Sequence, residues 1–135
     1  MASGIYNRFK ANLMNKEVDL EADTIKVALM DDNHSFDETD EISGDIDQNE
    51  ISGTNYSQGG KSLSNKSVSQ GSTTSFDADD LVWEDAEFSA YHAVLYDESL
   101  TDDDLICSFD FGGEQSVDGA DFKIVWDDNG IITLS

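Results

Sequence analysis

The sequence predicts a mostly β protein, an antiparallel β-sandwich or barrel-like domain with one short N-terminal helix. Three features point there. Apolar residues gather in short runs with strand-like patterning, as in TIKVALM at 24–30 and LICSFDF at 105–111. Clusters of Asp, Asn, Ser and Gly separate these runs at short intervals. Helical spacing is confined to the first residues. At 135 residues the chain fits one domain, 1–135, large enough to bury roughly 70% of its unfolded surface without disulfide or metal.

Residues 4–15 are the expected helix. Ser3 is its candidate N-cap, and Ile5, Phe9 and Leu13 recur at i, i+4 and i+8 with Tyr6 beside them. So short a helix is marginal alone, and its apolar face must dock on something. Two readings are open: it packs on its own sheet, or it is an arm that docks on a neighbouring subunit. Residues 24–30 are the first strand. A polar region at about 31–60 follows, expected to be loop with one or two short strands. Loops of this length tend to bind something or to move.

Residues 61–70, carrying Leu63 and Val68, read as a weakly patterned strand. Three more are expected at 73–76 (TTSF), Leu81–Trp83 and Phe88–Tyr96. In the last, Phe88, Ala90, His92, Val94 and Tyr96 share one face, and Ser89, Tyr91, Ala93 and Leu95 the other. Both faces are partly apolar, which predicts a central strand. In 105–111, Leu105, Cys107, Phe109 and Phe111 alternate with Ile106, Ser108 and Asp110. Finally, 122–126 (FKIVW) and 131–134 (IITL) flank Asp127-Asp128-Asn129-Gly130. Asn-Gly between apolar runs predicts a type I′ hairpin, because that turn needs positive φ at both central residues.

Charge narrows the function. Thirty acidic residues against seven basic ones give a formal net charge of −23. Self-repulsion at this density opposes compaction at low salt. Molar salt shortens the Debye length to about 3 Å and removes most of it, so the composition reads as adaptation to high salt. With no basic stripe, direct contact with nucleic-acid phosphates is not expected. Cys107 is the sole cysteine, so no disulfide forms within the chain, and its alternating run places it as a small buried hydrophobe. No apolar stretch approaches the ~20 residues of a membrane span. No apolar signal-peptide core is visible either, so the protein is expected to be made and used in the cytoplasm, or in a particle assembled there.

Catalytic candidates are few. His34 lies in the polar region and His92 on a strand; they can meet only through the fold. No HExxH, G-x-S-x-G, P-loop or CxxC pattern occurs. Asp45, Asp47 and Asn49 match the opening of an EF-hand loop, but Glu50 stands where Gly is needed and Tyr56 where Glu is needed. Asp102–Asp104 and Asp77, Asp79 and Asp80 read as solvated acidic turns. Sequons at Asn33, Asn55 and Asn65 are expected by chance in so Asn- and Ser-rich a region. No catalytic, cofactor-binding or metal residue is assigned, and the protein is expected not to be an enzyme.

The opening Ile5-Tyr6-Asn7-Arg8-Phe9-Lys10, leading to Glu21-Ala22-Asp23-Thr24-Ile25-Lys26-Val27, resembles a family of small structural proteins of tailed bacterial and archaeal viruses. So do Glu50-Ile51-Ser52-Gly53-Thr54-Asn55-Tyr56 with Gly59-Gly60, Phe76-Asp77-Ala78-Asp79-Asp80 leading to Trp83, and the tail segments 106–115 and 122–134. The resemblance spans nearly the whole chain, and excess acidity is its main departure. It implies a capsid decoration or cement protein of a halophilic virus, located on the capsid surface. The implied partners are the major capsid protein or other virion proteins. Repeated sites on a shell favour a homo-oligomer, a trimer first. Ile5, Tyr6, Arg8, Phe9 and Leu13 are the candidate protein-interface residues, and the polar region is a second docking candidate. The alternatives are a tail, baseplate, head–tail connector or fibre head-binding component, or a carbohydrate-binding module displaying Trp83 and Trp126.

Overall fold

The computed structural model describes residues 3–135. Two antiparallel sheets and one short helix make a mostly β, sandwich-like domain. The elements are β1 (Gly4–Ile5), α1 (Asn7–Met14), β2 (Ile25–Met30), β3 (Lys61–Ser62), β4 (Ser67–Ser69), β5 (Thr74–Asp77), β6 (Leu81–Asp97), β7 (Asp104–Ile124) and β8 (Ile132–Leu134). The larger sheet has the order β1-β7-β6-β2-β3 and the smaller β4-β5-β8.

A long hairpin organises the larger sheet. β6 and β7 pair from Leu81↔Ile124 to Asp97↔Asp104, and β2 adds to β6 from Met30↔His92 to Ile25↔Asp97. β6 is therefore central where β2 joins it. The two segments expected at Leu81–Trp83 and Phe88–Tyr96 are one bulged strand, and 105–111 and 122–124 likewise belong to one. A bulge between Ala90 and His92 also corrects the expected face assignment. Phe88 and Ala90 enter the main core with Ala93 and Leu95, while Val94 and Tyr96 face the opposite cluster. One extra residue flips the alternation, as bulges do.

β2 explains its own unbroken apolar character. Ile25, Val27 and Leu29 enter the main core, which also takes Phe9 from α1 and Phe76 and Ile132 from the smaller sheet. Ala28 and Met30 face a second cluster with Tyr6, Ile46, Val94, Tyr96 and Leu105. Ile46 belongs to the polar region, so that region is a cover over the second face of the sheet. It holds two 3₁₀ turns, Ser43–Asp45 and Asp47–Asn49, and isolated bridges such as Ile42↔Asp104 in place of the expected short strands. Asp45, the false EF-hand start, accepts backbone N–H bonds from Glu41 and Ile42.

Three further expectations are corrected. The helix begins at Asn7, because Gly4 and Ile5 are drawn into the ladder opposite Ser108 and Cys107. Tyr6 is the N-cap residue, with no side-chain cap, and the Ser3 hydroxyl accepts from the Asp110 N–H instead. The strand expected at 61–70 divides at Asn65, whose φ is 52°; β3 pairs with β2 and β4 with β5. The Asn-Gly turn is not a type I′ hairpin. The Gly130 N–H donates to the Asp127 carbonyl, putting Asp128 and Asn129 at the centre, and β8 then joins β5 in the other sheet. Ile131 and Ile132 are buried in the main core, and that burial carries the chain across.

Candidate functional site

An apolar concavity of about 430 Å³ lies between α1, the segment that follows it, and the smaller sheet. Phe9, Leu13, Val18, Leu20, Phe76 and Ile132 line it, with Lys16 and Asp19 as its charged members. Val68 and Leu134 also line it and are exposed at 43% and 55%. Ion pairs place the helix that forms one wall. Arg8 lies 3.2 Å from both Glu41 and Asp104, and the Asn12 amide donates to Asp104 at 2.8 Å.

The five candidate interface residues therefore divide. Tyr6 and Phe9 are buried within the chain, Arg8 is tied to Glu41 and Asp104, and Ile5 pairs with Cys107. α1 packs on its own domain. Phe9 and Leu13 both line the concave apolar surface, and of the two only Leu13 is partly exposed there. Of its companions, Val68 and Leu134 were expected only as strand residues and Val18 and Leu20 carried no reading, since an isolated apolar residue in a polar stretch or at a strand end does not mark a groove.

The fold does bring the two histidines together. Their rings meet edge to face, with centroids 4.9 Å apart. His34 Nε2 is 3.4 Å from the buried Ser108 hydroxyl, and His92 Nδ1 is 4.0 Å from an Asp110 carboxylate oxygen. Burial first, then the neighbouring His92, pushes His34 down to about 4. A nucleophilic role needs a basic imidazole beside an accessible hydroxyl. Here the imidazole is depressed in basicity, and Ser108 is 2% exposed.

Other candidates have structural partners. Trp83 and Trp126 are buried; the Trp126 indole N–H donates to the Asp79 carbonyl and its backbone N–H to the Asp80 carboxylate. They do not form the flat exposed face that sugar stacking would use. Burial pushes the Cys107 thiol far above its ordinary range. Among the described residues, no group of three or more His, Cys, Asp or Glu side chains has the geometry to hold a metal, and no helix is long and apolar enough to cross a membrane.

The motif Glu50–Tyr56 with Gly59-Gly60 is a folding device. The Tyr56 hydroxyl accepts from the Leu29 N–H at 2.9 Å and donates to Glu50 at 2.5 Å, while the same Glu50 oxygen accepts from the Gly59 N–H at 2.8 Å. Gly60 has φ 82°, and a Cβ there would lie 1.8 Å from the Val27 carbonyl oxygen. Only glycine can bring the chain that close to β2. No family model, curated protein or solved structure matches this chain.

Proposed function

We propose that the protein is a structural component of a tailed-virus particle, decorating or cementing its capsid through protein–protein contacts in high salt. The observation that carries the reading is the apolar groove beside α1. It joins exposed Val68 and Leu134 to Leu13 on a chain of net charge −23. Such an apolar patch on an otherwise acidic surface is where a partner gains most from desolvation. The resemblance of the sequence to structural proteins of tailed viruses supplies the biological setting. The major capsid protein is the proposed partner. Repetition of the site over a shell favours a symmetric homo-oligomer, with a trimer as the first expectation.

The test is rebinding. Particles stripped of this protein are incubated in molar salt with wild type or with Leu13→Asp combined with Leu134→Asp. Each buried leucine contributes about 1.5–3 kcal/mol, so the double variant should rebind at least tenfold more weakly while keeping its far-UV spectrum. Rebinding equal to wild type would contradict the reading.

A further inference from the structure

Asp97 ends β6, at the mouth of the turn to β7. Its side chain is fully buried. One carboxylate oxygen accepts from the Ser99 N–H at 2.9 Å; the other has no hydrogen-bond partner. A lone buried carboxylate oxygen is costly, and a second carboxylate beside it makes the cost larger. Yet the chain just before β2 runs beside it: Ile25 pairs with Asp97, the Glu98 N–H donates to the Thr24 carbonyl, and Asp23, whose carboxylate accepts from the Asp19 N–H at 3.1 Å, is the acid next in line, while Asp104 faces Asp97 across the β6–β7 ladder.

The cations nearby are committed elsewhere. Arg8 pairs with Asp104, which also accepts from the neutral Asn12 amide, Lys26 pairs with Glu98, and the Lys66 ammonium binds the Asp23 backbone carbonyl. What the two acids lack is one hydrogen. We propose that Asp97 and Asp23 share a single proton, forming a pH-sensitive joint that holds the 19–23 segment to the end of β6 and loosens when the proton leaves.

The electrostatic surroundings of Asp97 agree with the geometry. Burial first, then the contact with Asp23, pushes Asp97 up to about 7. In the unfolded chain the group titrates near 3.9. A raised folded value contributes stability that is fully present below the unfolded value and is lost as pH rises through about 7. The segment that would be released carries Asp19 and Leu20, both lining the apolar groove. Loss of the proton therefore changes one wall of that groove, whatever partner docks there.

The experiment compares wild type with Asp97→Asn in urea unfolding at constant molar NaCl between pH 5.5 and 8.5. The amide supplies permanently the hydrogen that the acid pair must borrow. Wild type should lose at least tenfold in its folding constant across this range relative to the variant. His34 is present in both proteins, so its contribution cancels in the comparison. At pH 8.5 the variant should be the more stable. Parallel pH curves would overturn the proposal. So would a wild type that collapses on adding EDTA at pH 8 and recovers with Ca²⁺, because a metal ion would then hold the pair. Should Asp97→Asn fail to fold, the ¹³C carboxyl resonance of Asp97 in wild type decides. A midpoint near 7 that falls toward the ordinary carboxylate range in Asp23→Asn supports the shared proton. A midpoint below 5 in wild type refutes it.

Discussion

Tyr56→Phe removes one oxygen from the margin of the main core, where the polar region meets β2. That oxygen accepts from the Leu29 N–H at 2.9 Å and donates to Glu50 at 2.5 Å. Leu29 is fully buried in β2, so its N–H cannot turn to water once the phenol is gone. An unsatisfied buried donor costs about 1–3 kcal/mol, and a hydrogen bond to a charged group contributes about 1.5–3 kcal/mol. Glu50 keeps the Gly59 N–H, which softens the second loss. The expected destabilisation is about 2–4 kcal/mol, or roughly 6–16 °C in Tm for a domain of this size. Urea unfolding followed by tryptophan fluorescence measures it, since Trp83 stacks 6.2 Å from Tyr56. A loss below about 0.5 kcal/mol would refute the assignment of this network as the anchor between the polar region and β2.

Other expectations follow from charge and backbone. Lowering NaCl from molar to about 50 mM should lower Tm by more than 10 °C, because screening of 30 carboxylates is removed; equal Tm in both would sink the high-salt reading. Gly60→Ala should abolish soluble expression or cost more than about 3 kcal/mol, given its φ of 82° and the clash with the Val27 carbonyl; a stability within about 1 kcal/mol of wild type would contradict that close approach. His34, held down to about 4 by burial and His92, contributes stability that is present above its ordinary value of about 6.5 and is lost as pH falls toward 4. Its sign is opposite to that of Asp97. His34→Gln should therefore flatten the acid limb of stability between pH 6.5 and 4.5, and an unchanged slope would count against it.

The sequence carried local information well and long-range information poorly. TIKVALM announced a strand, and β2 is one, with the structure adding that it is buried on both faces. The apolar run around Leu105 and Cys107 likewise marked a strand, but not its faces: an irregularity in the pairing sends Leu105 to the second cluster while Ile106 and Cys107 enter the main core. What escaped was set by pairing partners far along the chain. Gly4 and Ile5 have helical neighbours, but β7 claims their backbone. Asn129-Gly130 marks a turn correctly, yet the core position of Ile131 and Ile132 sends the chain to the other sheet. The bulge at Ala90–His92 has no glycine or proline to announce it. At the groove, Leu13 was legible from helical spacing. Val68 and Leu134 were not, because isolated apolar residues acquire meaning only when the fold sets them side by side. Asp97 is one of 30 acidic residues, and nothing in its immediate sequence marks it as the buried one.

Under the proposed function this domain is a repeated structural part of a viral shell. The most direct measurement is its copy number per purified particle, by quantitative mass spectrometry against the major capsid protein. The account predicts one copy per capsid subunit or a simple fraction of that. A handful of copies per particle would place the protein at the tail or connector, and its absence from purified particles would contradict the account outright.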